Sequence, residues 1–239
     1  MSLKDDISSG VDSYYGDTYK VVNGRSVPSA GNVGLGKVGV SIELAMMFVD
    51  IRESTKIVDG LRRISAARMY KAFLWSVTKI VKYYDGEVKS FNGDGVLVVF
   101  EGSAKCNQAV KAAYMINWMV INSLRPQMNA YFKRNNSHED VHFGFGIGID
   151  VGDILIVRAG LKGATNSDLV WAGNATNIAV KLSDLGDKDN PIYISNRVFN
   201  LLNDEQKQYL NRIKAIWEKR YWTAKDNAII YRTSYWRHP

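Results

Sequence analysis

Asp94 stands between two glycines in "KSFNGDGVLVVF", immediately before an apolar run of the kind that forms a buried strand. A second apolar run, "SIELAMMFVDI", reaches its end at Asp50. A carboxylate at the mouth of a core is costly unless a positive charge compensates it, and two that converge are costlier still. Hard oxygen ligands from few side chains, with room left for substrate oxygens, suit Mg2+ or Mn2+ bound together with phosphates. Two ions held in this way would activate an attacking hydroxyl and polarise a phosphate. Gly93 and Gly95 would bring the backbone close to metal and ligand. Taken singly, each aspartate has an ordinary explanation: Asp50 can cap the turn beyond its strand, and Asn-Gly-Asp-Gly can be plain hairpin chemistry. Their joint appearance in one topology favours the metal.

Other chemistries find little to work with. His138 and His142 have no carboxylate or cysteine companions at ligand spacing, and Cys106 is the single cysteine, so it forms neither an internal disulfide nor a metal cluster. No Ser/His/Asp arrangement can be made out. "GFGIGIDVG" is glycine-rich but opens no helix, and reads as a strand packed closely on its neighbours. The formal charge of +7 over 239 residues points to anionic partners such as nucleotide phosphates. Much of the excess lies in the last forty residues, where "EKRYWTAKDNAIIYRTSYWR" interleaves aromatic and basic side chains. Stacking on single-stranded bases is one reading of that tail, and packing of a terminal hairpin on the core is the preferred one. No apolar run approaches the roughly 18 residues of a membrane helix, and the N-terminus lacks a basic-then-apolar leader, so a cytoplasmic location is expected.

The elements that must position the two aspartates can be read from periodicity. Residues 1 to about 40, rich in Gly, Ser and Asp, read as a loosely ordered arm. A buried strand from Ser41 is followed by a long amphipathic helix, capped by Ser65, with Met69, Phe73, Val77, Ile80, Val81 and Tyr84 on one face. A strand, an Asn-Gly turn and a strand come next, then a helix from Ser103 to near Pro126. "VHFGFGIGIDVGDILIVRAG" reads as a second hairpin turning around Val151 to Asp153. "DLVWAGNATNIAVKLSDLG" reads as a short strand and a helix that Gly186 terminates, and "PIYIS" as a last core strand. Residues 203–239 add a helix and a strand pair. Helices on one face of a mostly antiparallel sheet make this an α+β sandwich, ferredoxin-like with βαββαβ order, spanning residues 41–202. Its first strand is central and neighbours the Asp94 hairpin.

"MFVDIRESTK", "SFNGDGVLVVF", "GIGIDVGD" and "WAGNATNIAVKL", in this order and spacing, resemble the catalytic domain of class III nucleotidyl cyclases. The resemblance implies that Asp50 and Asp94 hold two divalent ions, Mn2+ or Mg2+, with the Ile51 main-chain carbonyl as a further ligand. It implies that backbone amides of Arg52 to Thr55 hold the triphosphate, and that Asn177 acts on the catalytic helix. Four residues later the family carries an arginine, where this chain has Lys181. Lysine keeps the charge and loses the planar fork; a surface lysine near a helix C-terminus is the plain alternative. The implied assembly is a homodimer with sites at the interface.

Base recognition departs further from the family. Cyclases that make cyclic AMP place a lysine four residues before the second metal aspartate, where this chain has Ser90. Lys89 is one step earlier, and strand alternation points it away from the base unless a bulge intervenes. The partner position is the apolar Val170. "IVRAG" and "NSDLVWAGNATNIAVKLSDLG" are similar to the compact bacterial pyrimidine cyclases of antiphage defence. That likeness implies conversion of UTP to cyclic UMP, with CTP to cyclic CMP close behind, because Ser90 and Asn92 can each donate or accept. A separate cyclic-nucleotide-gated effector would read the product. A purine cyclase, a degenerate fold that binds nucleotide or RNA without chemistry, and a palm-type polymerase are the competing classes; the "NATNIAVK" helix argues against the last. Neither a membrane nor nucleic acid is an expected partner.

Overall fold

Strand alternation builds the sheet. Ala45, Met47, Val49 and Ile51 of one strand, Val96, Val98 and Phe100 of a second, and Phe145, Ile147, Ile149 and Val151 of a third all enter one buried cluster. Side chains two apart share a face of a strand, so each of these runs turns one full face into core. The computed structural model describes residues 2–16, 18–52, 54, 63–134, 144–161, 167–209 and 215–238. His138 and His142 lie outside them, as do Glu53 and Thr55.

The chain divides into two units, residues 1–43 with 152–174 and residues 44–151 with 175–239. In the first unit, helix α1 (Leu3–Tyr15) begins with a capping box between Ser2 and Asp5. The expected loosely ordered arm therefore contains a 13-residue helix, because reciprocal capping satisfies N–H groups that Gly/Ser-rich sequence would leave open. Strand β1 (Lys20–Asn23) pairs in parallel with the first residues of β2 (Val38–Arg52).

In the second unit, helix α2 (Arg63–Tyr83) buries Met69, Phe73, Val77 and Val81. Ser65 lies inside this helix rather than capping it. Strands β3 (Glu87–Asn92) and β4 (Gly95–Phe100) form the expected hairpin. Helix α3 (Lys105–Met119) runs through a π turn, Val120–Leu124, into α4 (Arg125–Arg134), so the chain stays helical past Pro126. Proline has no N–H to donate; the wide turn restarts the helix with Pro126 in its first turn, where that donor is not needed.

Strand β5 (Gly144–Gly160) is one continuous strand, not a hairpin about Val151 to Asp153. Among the glycines with positive φ, Gly152 is absent, and burial continues through Val151, Ile154 and Ile156, so nothing forces a turn there. Its partner in the first unit is β6 (Ser167–Ala172), antiparallel to Leu155–Gly160. Helix α5 (Asn174–Ser183), strand β7 (Ile192–Ser195), helices α6 (Asn196–Leu201) and α7 (Asp204–Lys207), and strands β8 (Glu218–Trp222) and β9 (Ala228–Thr233) complete the chain. The strand order β3-β4-β2-β5-β7-β9-β8 contains the ferredoxin-like arrangement, with β2 between β4 and β5. Ile216 and Trp217 join the main core, and Asn117 donates to the carbonyls of Ser234 and Tyr235. Among the described residues, no helix is long and apolar enough to cross a membrane.

Candidate active site

The face of β2 turned away from the core formed with α2, α3 and α4 carries Phe48 and then Asp50. Phe48 pairs with Leu97 and Val49 with Val96, so the next step along β2 arrives at the Asn92–Gly95 turn that holds Asp94. Gly93 takes φ of 65°, the left-handed conformation this turn requires. A Cβ on Gly95 would lie 2.5 Å from the Phe48 ring and 3.1 Å from Oδ1 of Asp50. A side chain there would press on the carboxylate, and glycine leaves it room.

Burial, then the negative charge of Asp94, raises the Asp50 pKa from 3.8 to about 6, against the pull of Arg52 and an N–H donated by Ile51. Oδ2 of Asp94 is buried and accepts no hydrogen bond among the described residues. Asp150 on β5 is fully buried, and its carboxylate accepts hydrogen bonds from Arg197 of α6. The chain thus neutralises one buried carboxylate with its own cation and leaves the Asp50–Asp94 pair without one of equal strength. An orphaned carboxylate oxygen and mutual repulsion are what a divalent cation corrects, and oxygen donors are what hard cations take. The residues present fit such an ion. Among the described residues, no three His, Cys, Asp or Glu side chains group to hold a metal, so substrate oxygens and the buried Ile51 main chain would complete the set.

Tyr70 of α2 was not legible as a site residue. Burial, then the charge of Asp94, pushes its phenol pKa up, Ser54 is hydrogen-bonded to it, and Asp50 adds to the rise. It follows Met69 of the core face by one position, and periodicity assigns such a tyrosine to the helix flank. Only the packing of α2 brings it within electrostatic reach of both aspartates.

Arg52 donates to Asp184 at 3.0 Å, just beyond the end of α5. Cβ atoms on Gly146 and Gly148 would stand 2.0 Å from the Ser183 carbonyl and 1.9 Å from the Ala179 carbonyl, so these glycines let α5 lie against β5. The expectation that "GFGIGIDVG" is a closely packed strand holds. Ala175, Ala179 and Leu182 face inward, while Asn177 and Lys181 are exposed on one helical face. No hydrogen bond or ion pair joins Asn177 or Lys181 to Asp50 or Asp94 among the described residues.

On β3 the register shifts between Val88 and Ser90, the bulge that alternation alone would not supply. Val88 pairs with the core residue Val98, whereas Ser90 pairs with Leu97, itself opposite Phe48. Lys89 is the extra residue. Ser90 and Asn92, which lies opposite Gly95, are thereby brought onto the face that carries Asp50. Lys89 pairs with Glu87. Val170 lies on β6 of the first unit, opposite Val157, with 46% of its surface exposed.

Residues 40–231 match the adenylate and guanylate cyclase catalytic domain. The chain is 34% identical to a uridylate cyclase of Rhodovulum sp. (strain MB263), covering 100% of this chain and 99% of that one. It is 31% identical to a uridylate cyclase of Xanthomonas perforans, over 99% of both. Among solved structures, the guanylyl cyclase Cya2 superposes with a TM-score of 0.68 at 17% identity, over 84% of this chain and 96% of that one. The adenylyl cyclase CyaB from P. aeruginosa does so with a TM-score of 0.59 at 22% identity, over 80% and 93%.

Proposed function

Because this chain belongs to the adenylate and guanylate cyclase catalytic-domain family, we propose that it is a pyrimidine nucleotide cyclase, converting UTP to 3′,5′-cyclic UMP and pyrophosphate. The observation that carries the reaction is the Asp50–Asp94 pair, with its orphaned oxygen, beside a central strand of the ferredoxin-like sheet. The base rests on relatives called uridylate cyclases that align from end to end with this chain.

In this reading Asp50, Asp94 and the Ile51 carbonyl hold two Mn2+ or Mg2+ ions, which when bound lower the pKa of the ribose 3′-hydroxyl and neutralise the triphosphate. The 3′-oxygen bonds to the α-phosphorus, the bond to the β-phosphate bridge breaks, and pyrophosphate leaves while the hydroxyl proton passes to solvent. Lys181 offsets the charge that grows on the phosphoryl oxygens, and Asn177 donates a hydrogen bond to the ribose side of the reacting centre. Arg52, braced by Asp184, is a cation for the triphosphate. Ser90 and Asn92 read the pyrimidine edge, and Val170 stands at the sequence position where adenine selection uses a polar residue. Exposed Asn177 and Lys181 support a homodimer in which one subunit's α5 completes the other's site. Residues 41–202 form the catalytic domain, with 203–239 packed on it and 1–40 as an appendage. The product serves antiphage signalling through a separate cyclic-nucleotide-gated effector.

Incubation of the purified chain with equal ATP, GTP, CTP and UTP plus Mn2+, with products identified by mass, tests this reading. Cyclic UMP in excess is expected. Predominant cyclic CMP overturns the choice of uracil, cyclic AMP or GMP the pyrimidine assignment, and no cyclic product the reaction.

A further inference from the structure

Helices α2, α3 and α4, which cover one face of the sheet, carry ten Lys and Arg side chains and no Asp or Glu. The whole chain is only +7, so these three helices carry more positive charge than the chain has net. Some of these cations are engaged: Arg68 lies 5.1 Å over the Tyr131 ring and donates to its hydroxyl, and Lys111 pairs with Glu205. Lys71, Lys79 and Lys82 are exposed on the solvent side of α2, and no carboxylate pairs with them among the described residues. Lys82 sits in the last helical turn, where a cation also suits the helix dipole. Lys71 and Lys79 are interior to the helix and have no such role.

Trp75 stands between them with 65% of its surface exposed, and Tyr83 at the far end has 76%. Steps of four, four and three residues put Lys71, Trp75, Lys79 and Lys82 in one stripe, opposite the buried Phe73 and Val77. The stripe runs about 16 Å at a rise of roughly 1.5 Å per residue. The Lys79 ammonium lies 5.7 Å from the centre of the Trp75 ring. Charges spread along such a line do not converge on a small anion; they match a polyanion. A bare indole flanked by a lysine one turn to each side is a stacking surface between phosphate-neutralising groups. Insertion into a lipid surface would need apolar side chains gathered together, whereas Lys79 and Lys82 separate Trp75 from Tyr83. The basic and aromatic tail is a different case, since Trp222 and Ile230 are buried in the fold.

We propose that the solvent face of α2, from Lys71 to Tyr83, is a docking surface for single-stranded nucleic acid. It goes beyond the cyclase reading and uses none of the residues assigned to it. The test is fluorescence anisotropy of the full chain with a labelled oligouridylate or oligothymidylate of about 20 nucleotides, over a range of salt. Three lysines on phosphates predict a slope of log affinity against log salt of about −2. Trp75→Ala should weaken binding about tenfold. Lys79→Glu with Lys82→Glu should weaken it at least about tenfold and flatten the slope. Melting temperature and cyclase turnover should stay at wild-type values in each variant, so that loss of docking is distinguishable from failure of the reaction. No binding at about 50 mM salt, unchanged binding by these variants, equal affinity for duplex, or binding only to phosphatidylserine vesicles would each overturn the proposal.

Discussion

Asp94 has a buried oxygen with no donor among the described residues, and Asp50 beside it has its pKa raised to about 6. If these carboxylates hold metal, Asp50→Asn or Asp94→Asn should lower turnover by more than the roughly 10- to 100-fold that a merely supporting group costs, with circular dichroism unchanged. Near wild-type turnover in either variant rejects the assignment. The raised pKa sets a sign for pH. Protonated Asp50 is a poor ligand, so Mn2+ affinity should fall as pH drops through about 6. Without metal the direction reverses: the folded state favours protonated Asp50, so this contribution to stability is present below 3.8 and lost as pH rises through about 6. Melting of the metal-free chain from pH 4 to 8 should show a decline that Asp50→Asn largely removes. Parallel curves would mean that burial and Asp94 do not hold Asp50 protonated in the folded chain.

At the scale of elements, the site depends on how closely α5 approaches β5. A Cβ on Gly148 would meet the Ala179 carbonyl at 1.9 Å, a backbone contact that no rotamer change relieves. Gly148→Ala should therefore push the helix outward, costing about 1–3 kcal/mol by overpacking. Asn177 and Lys181 move with that helix, so turnover should fall more steeply than stability. Thermal melts alongside kinetics will check this; full activity in Gly148→Ala would show that α5 tolerates displacement. The β3 bulge is a second device of this kind, because a regular strand that kept Lys89 in register would put Ser90 opposite Val96, on the face of Val88 and the core.

For the whole molecule, the exposed Asn177 and Lys181 make a test of assembly. If one subunit's aspartates work with the other's α5, mixing Asp94→Asn with Asn177→Ala should restore part of the activity that neither variant has alone. Each mixed dimer would contain one site with both sets intact, so recovery should approach about a quarter of wild type after full exchange. No recovery despite demonstrated exchange would place both sets of residues in one chain.

Sequence alone determined the pattern that any solution had to satisfy. The apolar runs of β2 and β4, the Asn-Gly turn, the glycines of β5 and the spacing of Asn177 and Lys181 all act over a few residues, where backbone geometry converts order into structure directly. The ferredoxin-like order followed from them. Misreadings occurred where a local signal was outweighed. Ser65 lies inside α2, Pro126 fits behind a π turn, and Val151 to Asp153 stay extended, with Val151 and Ile154 buried on either side of the exposed Asp153. Tertiary structure alone decided that Tyr70 comes within electrostatic reach of both aspartates and that a bulge at Lys89 turns Ser90 toward Asp50. Each of these depends on which faces of distant segments meet, and side-chain identity at a single position carries no record of that.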